Sequence, residues 1–254
     1  MRRPRIIPTL LLQGGNLVKT KQFSNSRYLG DPINAIRIFN EKCVDELCVL
    51  DIEASKKHLE PNFTLLEDMA SEAFMPLSYG GGLKNIDQIR RVFRCGFEKV
   101  VINTASMSSG LIKEASEYFG SQSIVCAIDY KKTLLGYRCY IYDGREKTKI
   151  TPIERARDVV KAGAGELLLY SIDKDGMRSG YDIELIHELS SVVGVPVIAC
   201  GGAASIKDIK IALDAGADAV AAGSLFVYFG EKQAVLINFP EEREFIQYGI
   251  YSEE

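Results

Sequence analysis

Short apolar runs alternate with amphipathic stretches along the whole chain. The runs are 5-RIIPTLLL-12, 46-ELCVLDI-52, 75-MPLSYG-80, 99-KVVIN-103, 124-IVCAID-129, 166-ELLLYSI-172, 195-VPVIAC-200 and 218-DAVAAG-223. Each reads as a strand bounded by turn residues. The intervening stretches carry helix signals. In 31-DPINAIRIFNEKCV-44 an Asp stands at the cap and a Pro at the first helical position. In 205-SIKDIKIALDAG-216 a Ser caps the start and a Gly marks the exit. Eight strand–helix units in 254 residues give about 32 residues per unit, the size of a βα module.

The second half repeats the first at a shift of 120 residues. It lays 46-ELCVLDI-52 over 166-ELLLYSI-172, and 80-GGGLKNIDQIRRVFRCGFEKVVINTA-105 over 200-CGGAASIKDIKIALDAGADAVAAGSL-225. Gly81, Gly82, Ile86, Ile89, Gly96 and Val100 return as Gly201, Gly202, Ile206, Ile209, Gly216 and Val220. Two similar (βα)4 halves closing on each other make an α/β protein of the (β/α)8 TIM-barrel class, one domain over residues 1–254. An open doubly wound sheet predicts neither the repeat nor the eight-fold count. A barrel carries its site at the carboxyl ends of its strands.

Read at those ends, the chain offers two phosphate cradles. One combines Gly80-Gly81-Gly82 with Asn103-Thr104, and the other Gly201-Gly202 with Gly223-Ser224. Glycines let backbone N–H groups approach an anion, while hydroxyls and helix N-termini add donors and a favourable dipole. The expected ligand is a small molecule with a phosphate at each end, spanning the barrel mouth.

Composition narrows the partners. The hydrophobic fraction is 46%, charged residues make up 26% and the net charge is −3, ordinary for a globular protein and without the basic patch of a nucleic-acid binder. The longest apolar stretches, about eight residues, are too short to span a bilayer. Pro8 and Thr9 break the first apolar run and no small-residue cleavage site follows, so a cytoplasmic location is expected. Six cysteines show no CxxC spacing, and four lie in apolar runs, as buried free thiols do. With only His58 and His187 in the chain, no metal or other cofactor is expected.

Taken in order, RIIPTLLLQGGNLVKTKQFSNSRYLGDP, DELCVLDIEAS, YGGGL, INTA, AIDYK, GAGELLLYSIDKDGMRSGYD and GGAASIKD resemble the cyclase subunit of imidazole glycerol phosphate synthase, the HisF family. Segment 171–182 is the most diagnostic. The resemblance covers residues 4 to about 230. It implies a heterodimer with a HisH-like glutaminase, whose ammonia travels through the barrel. There the ammonia reacts with a ribulosyl aminoimidazole-carboxamide nucleotide bearing two phosphates, giving imidazole glycerol phosphate and AICAR. By carry-over, Gly82, Asn103 and Thr104 hold one phosphate, and Asp175, Gly176, Gly202 and Ser224 the other. Lys19 falls in the family's substrate-closing loop, here the polar stretch from Gly14 to Gly30, read as a flexible lid. Arg5, Glu46, Lys99 and Glu166 match the charged ring at the barrel bottom that admits ammonia. Apolar walls above such a ring favour NH₃ over NH₄⁺, because an ion loses its hydration there.

The family's acid–base pair is incomplete. It uses aspartates at the ends of strands 1 and 5. Asp129 is present, but Leu11 stands where its partner belongs, and a leucine neither gives nor takes a proton. Losing a positioned acid or base costs about 10²–10⁴-fold in rate. Tyr170 replaces a small hydroxyl residue and Cys200 a serine, while Glu53, where threonine is usual, reads as a solvated loop charge ahead of a replacement catalyst. An intact gate beside a broken acid–base pair points to a divergent paralogue. The expected role is delivery of ammonia for amidation of a sugar in surface-polysaccharide biosynthesis, with a third sugar amidotransferase protein as possible partner. The alternatives are the histidine-biosynthetic cyclase itself and a non-catalytic scaffold.

Overall fold

The computed structural model describes residues 3–107, 109–230 and 232–252. Eight parallel strands close into a barrel: β1 (Arg5–Gln13), β2 (Leu47–Asp51), β3 (Leu77–Gly80), β4 (Lys99–Ile102), β5 (Ile124–Thr133), β6 (Glu166–Ser171), β7 (Val197–Cys200) and β8 (Ala219–Ala222). Each pairs with its sequence neighbours, and β8 closes on β1 through Arg5↔Ala219 to Pro8↔Ala222. The helices between them are α1 (Pro32–Glu41), α2 (Phe63–Glu72), α3 (Ile86–Arg94), α4 (Ser109–Phe119), α5 (Pro152–Lys161), α6 (Ile183–Val192) and α7 (Ile206–Asp214). A short α8 (Ser224–Val227) and α9 (Glu242–Gln247) follow β8.

The 120-residue repeat survives folding in register. α3 and α7 have matching bounds at that shift, and so do β3 and β7, and β4 and β8. Their caps match too: Asn85 and Ser205 share an extended backbone, and each side chain accepts the N–H three residues on. α1 starts as expected, with Asp31 accepting from the Asn34 N–H and Pro32 in the first turn.

Two-residue periodicity divides the core. From β1, Ile6, Leu10 and Leu12 face the helices in one large cluster, while Ile7 joins an inner cluster with Cys48, Val101, Val125, Ala127, Leu168, Ile198, Ala219 and Ala221. The barrel interior is therefore a largely apolar column, with the hydroxyls of Thr9 and Ser78 buried among these side chains. Cys48, Cys126, Cys139 and Cys200 are buried free thiols, Cys95 is half-buried and Cys43 exposed.

Two hairpins rise over the carboxyl ends. The first pairs Asn16–Lys21 with Ser24–Gly30, so the stretch read as a flexible lid carries regular secondary structure. Leu17, Val18, Lys19 and Thr20 are all buried, because this strand continues the barrel wall by pairing with β1. The second hairpin extends β5 through Gly136–Ile141. No helix among the described residues is long and apolar enough to cross a membrane.

Candidate active site at the barrel mouth

Asp129 ends the inward-facing row of β5 and lies opposite Tyr170 of β6 in the ladder. It is 7% exposed. Its carboxylate Oδ2 accepts from Asn103 Nδ2 at 2.5 Å. Burial drives its pKa well above the ordinary carboxylate value; the Asp143 charge adds to this, and the Asn103 hydrogen bond opposes it. Burial therefore favours the protonated form of this carboxyl. Leu11 and Asp129 line the same cavity, of about 550 Å³, with Leu50, Gly80, Gly81, Gly82, Asn103 and Thr104. Leu11 thus faces the space that a strand-1 carboxylate would serve, as the alignment of strand ends implies.

The β3–β4 cradle opens into this cavity. Gly82 has φ +68°, and a Cβ there would stand 2.7 Å from the Leu59 carbonyl oxygen, so the turn needs glycine. Asn103 and Thr104, expected on a phosphate, have protein partners. Asn103 holds Asp129, and Thr104 Oγ1 accepts the Tyr142 N–H at 3.0 Å.

The β7–β8 cradle is different. Gly176, Gly202, Gly223 and Ser224 do converge, but around only about 10 Å³ of space. Lys19 fills it: a Cβ on Gly223 would stand 3.0 Å from Lys19 Cε. The Lys19 ammonium donates to Asp175 Oδ1 at 2.6 Å, and both residues are buried. Asp175 also accepts from Thr20 Oγ1 at 2.6 Å, the Phe23 N–H at 3.2 Å and Tyr170 OH at 3.0 Å. The Asp175 side chain, expected beside a phosphate, has protein partners instead: its two oxygens are taken by four donors from the first hairpin and β6. The Ser224 hydroxyl, buried without a hydrogen-bond partner, is the donor this cradle keeps in reserve.

Tyr170 packs edge-on to Phe23 of the hairpin, ring centroids 4.8 Å apart. The bulk that replaces a small hydroxyl residue therefore braces the closed hairpin. Glu53 does not line the cavity. It accepts from Gln13, the Gly14 N–H and Lys57, which fits a loop charge. Asp51 does line it and accepts from the Glu53 and Ala54 N–H groups.

Sequence reasoning missed Asp143. It lies in the turn between Gly136–Ile141 and the short strand Glu146–Lys147 that pairs with it, lines the cavity, and pairs with Lys56 from the β2–α2 loop. Burial pushes its pKa up to about 6, with Lys56 opposing. The one local signal was an Asp-Gly turn, which says nothing about where the turn points.

At the opposite end, Arg5, Glu46, Lys99 and Glu166 form a closed ring. Arg5 pairs with Glu46 at 2.5 Å and with Glu166; Lys99 pairs with the same two carboxylates at 3.0 and 2.9 Å. The carboxylates are buried and the cations partly exposed. Among the described residues no group of three or more His, Cys, Asp or Glu could hold a metal ion.

An eight-stranded barrel with twin glycine turns and a half-repeat defines a class, and comparison with known proteins agrees. A family model described as histidine biosynthesis protein matches residues 5–233. Within that class the chain belongs to the HisF family. It is 49% identical over 254 residues to a Leptospira interrogans protein provisionally named imidazole glycerol phosphate synthase subunit HisF, covering 98% of this chain and 100% of the relative. It is 49% identical over 244 residues to a Pseudomonas aeruginosa protein provisionally named subunit hisF2, covering 95% and 97%. The imidazole glycerol phosphate synthase subunit HisF of Petrotoga mobilis is 41% identical over 227 residues, covering 88% and 90%.

Proposed function

We propose that this chain is the synthase-type subunit of a glutamine-dependent complex, taking ammonia from a HisH-like glutaminase at the barrel bottom and using it at the mouth. The observation that carries this reading is the two-ended construction. A ring of four paired charges closes one end of a largely apolar column, and a buried carboxyl, Asp129, stands in a cavity at the other. Paired charges open by exchanging partners, and the column above them costs a neutral molecule little but an ion several kcal/mol (about, after relaxation). The mouth then holds a phosphate-bearing acceptor against the Gly81-Gly82 turn.

For the chemistry at the mouth, the relatives' names favour the imidazole glycerol phosphate synthase reaction of histidine biosynthesis over ammonia delivery to a sugar amidotransferase. The sugar reading, with its third protein, keeps two supporting observations: Leu11 in place of a carboxylate, and Lys19 in the second cradle. Ammonia-dependent turnover of the bisphosphate aminoimidazole-carboxamide nucleotide separates them. Turnover supports ring closure. Its absence, with a glutaminase still stimulated by the barrel, supports delivery elsewhere. No stimulation of a HisH-like glutaminase removes both.

A further inference from the structure

We propose that Asp143 is the second acid–base group of the mouth, a carboxylate supplied by the turn between Gly136–Ile141 and Glu146–Lys147 in place of the one missing at Leu11. The proposal rests on the ammonia-using reading above. Three independent features support it.

Position comes first. Asp143 belongs to the wall between two spaces: the cavity that holds Asp129, and an outer polar cleft of about 640 Å³ lined by Lys56, Lys131 and Arg145. One carboxylate thus borders the reaction cavity on its inner side and a cationic cleft on its outer side. Among the described residues, the acids lining the inner cavity are Asp51, Asp129 and Asp143. Asp51 is committed to two backbone N–H groups of its own loop. Asp143 Oδ2 is buried and makes an ion pair with Lys56 but no geometrically formed hydrogen bond.

Backbone conformation is the second feature. Tyr142, Asp143 and Gly144 are consecutive left-handed residues, with φ of +50°, +56° and +76°. A non-glycine residue held there costs of order 1–3 kcal/mol and persists only where its surroundings fix it. The surroundings here are on both sides. Thr104 accepts the Tyr142 N–H, and a Cβ on Gly144 would press on Phe23 and Ile172 at 3.2 and 3.3 Å.

Electrostatics is the third. The charged groups acting on Asp143 are Lys56 from the β2–α2 loop, Asp175 from the β6–α6 loop and Arg145 from its own hairpin. Its own charge in turn raises Asp129. Two carboxylates that feel each other and differ in burial divide into one acid and one base. Asp129, the more deeply buried, takes the role of acid; Asp143, beside Lys56, takes that of base.

The division matches addition of ammonia to a carbonyl. The nitrogen lone pair forms the C–N bond, and the C=O π pair moves onto oxygen, which takes the Asp129 proton. The new ammonium centre gives a proton to Asp143. Loss of water reverses both transfers: Asp143 protonates the departing hydroxyl and Asp129 recovers a proton from nitrogen. The balance is NH₃ plus C=O giving C=NH plus water, with both carboxyls restored.

The test combines titration with kinetics on the full chain. Carboxyl ¹³C NMR of Asp-labelled protein is expected to show Asp143 titrating near 6, and Asp143→Asn to lower the Asp129 midpoint. An Asp143 midpoint near 4, with Asp129 unmoved by the substitution, overturns the proposal whatever the turnover. With ammonium and the bisphosphate nucleotide, Asp143→Asn is expected to lose about 10²–10⁴-fold in kcat with little change in KM. Asp143→Glu should recover part of it, and Lys56→Met should move the acid limb of the pH profile upward. A wild-type chain that turns over the nucleotide while Asp143→Asn keeps its kcat also refutes the proposal. A wild-type chain with no turnover counts against the ring-closing reading instead, and the titration then decides the pair.

Discussion

Replacing Asp175 by Ala removes the anchor of the first hairpin, and the structure sets the size of the effect. Four donors converge on this carboxylate: Lys19 Nζ and Thr20 Oγ1 at 2.6 Å, Tyr170 OH at 3.0 Å and the Phe23 N–H at 3.2 Å. Asp175 is 1% exposed and Lys19 5%, so solvent does not take over. Breaking a buried pair by deleting one partner costs about 3–5 kcal/mol, most of it the stranded charge. Lys19 has one escape, which is to leave with its hairpin for water. The expected outcome has two parts. Chemical denaturation shows a loss of about 3 kcal/mol or more. Hydrogen exchange speeds up through residues 16–30, while the barrel strands stay protected. Lys19→Met should do the same, and the double variant should lose less than the two singles combined, because neither then leaves a charge behind. Departure of Lys19 also clears the β7–β8 cradle, so inorganic phosphate should gain a second site per chain in Asp175→Ala. Unchanged exchange in the hairpin, or singles that simply add, would refute the account of Lys19 as the cradle's occupant.

Other consequences follow from the same geometry. Gly82→Ala should cost about 1–3 kcal/mol, since a Cβ at φ +68° meets the Leu59 carbonyl at 2.7 Å; the denaturation midpoint and phosphate affinity should fall together. Glu46→Ala should destabilise the barrel by about 1–3 kcal/mol, because Arg5 and Lys99 each lose one of their two carboxylate partners and keep only Glu166; a midpoint within experimental error of wild type contradicts this. Asp129→Asn should stabilise the protein at neutral pH. A carboxyl whose folded pKa is raised contributes stability below its unfolded pKa and loses it as pH rises through the folded value. The gain should therefore shrink to nothing towards pH 4 in parallel melts. Among the thiols, Cys43 should react first with an aromatic disulfide reagent and Cys95 more slowly. Cys48, Cys126, Cys139 and Cys200 should react only on unfolding, since burial raises each of them.

The sequence by itself determined the barrel and the places on it where chemistry can stand. Alternation of apolar runs with capped amphipathic stretches is a local property, and the 120-residue repeat required only comparison of the chain with itself. Both survive into three dimensions because β3, α3 and β4 fold as β7, α7 and β8 do. The charged ring was legible through the family resemblance, with Arg5, Glu46, Lys99 and Glu166 at or just before strand starts, which lie at the barrel bottom whatever their neighbours are. Asp129 and Leu11 could be set against each other by counting along two strands.

Tertiary structure decided which of those places are open. Twin glycine motifs of equal standing became one cavity and one filled cradle, because the occupant, Lys19, comes from a hairpin more than 150 residues away from Asp175, the group that holds it. The same is true of Asp143, whose partner Lys56 and neighbour Thr104 belong to other units of the barrel. Strand ends are fixed by the period of the chain. Loops are fixed by what they meet above the mouth, and those meetings between distant loops leave no period in the sequence.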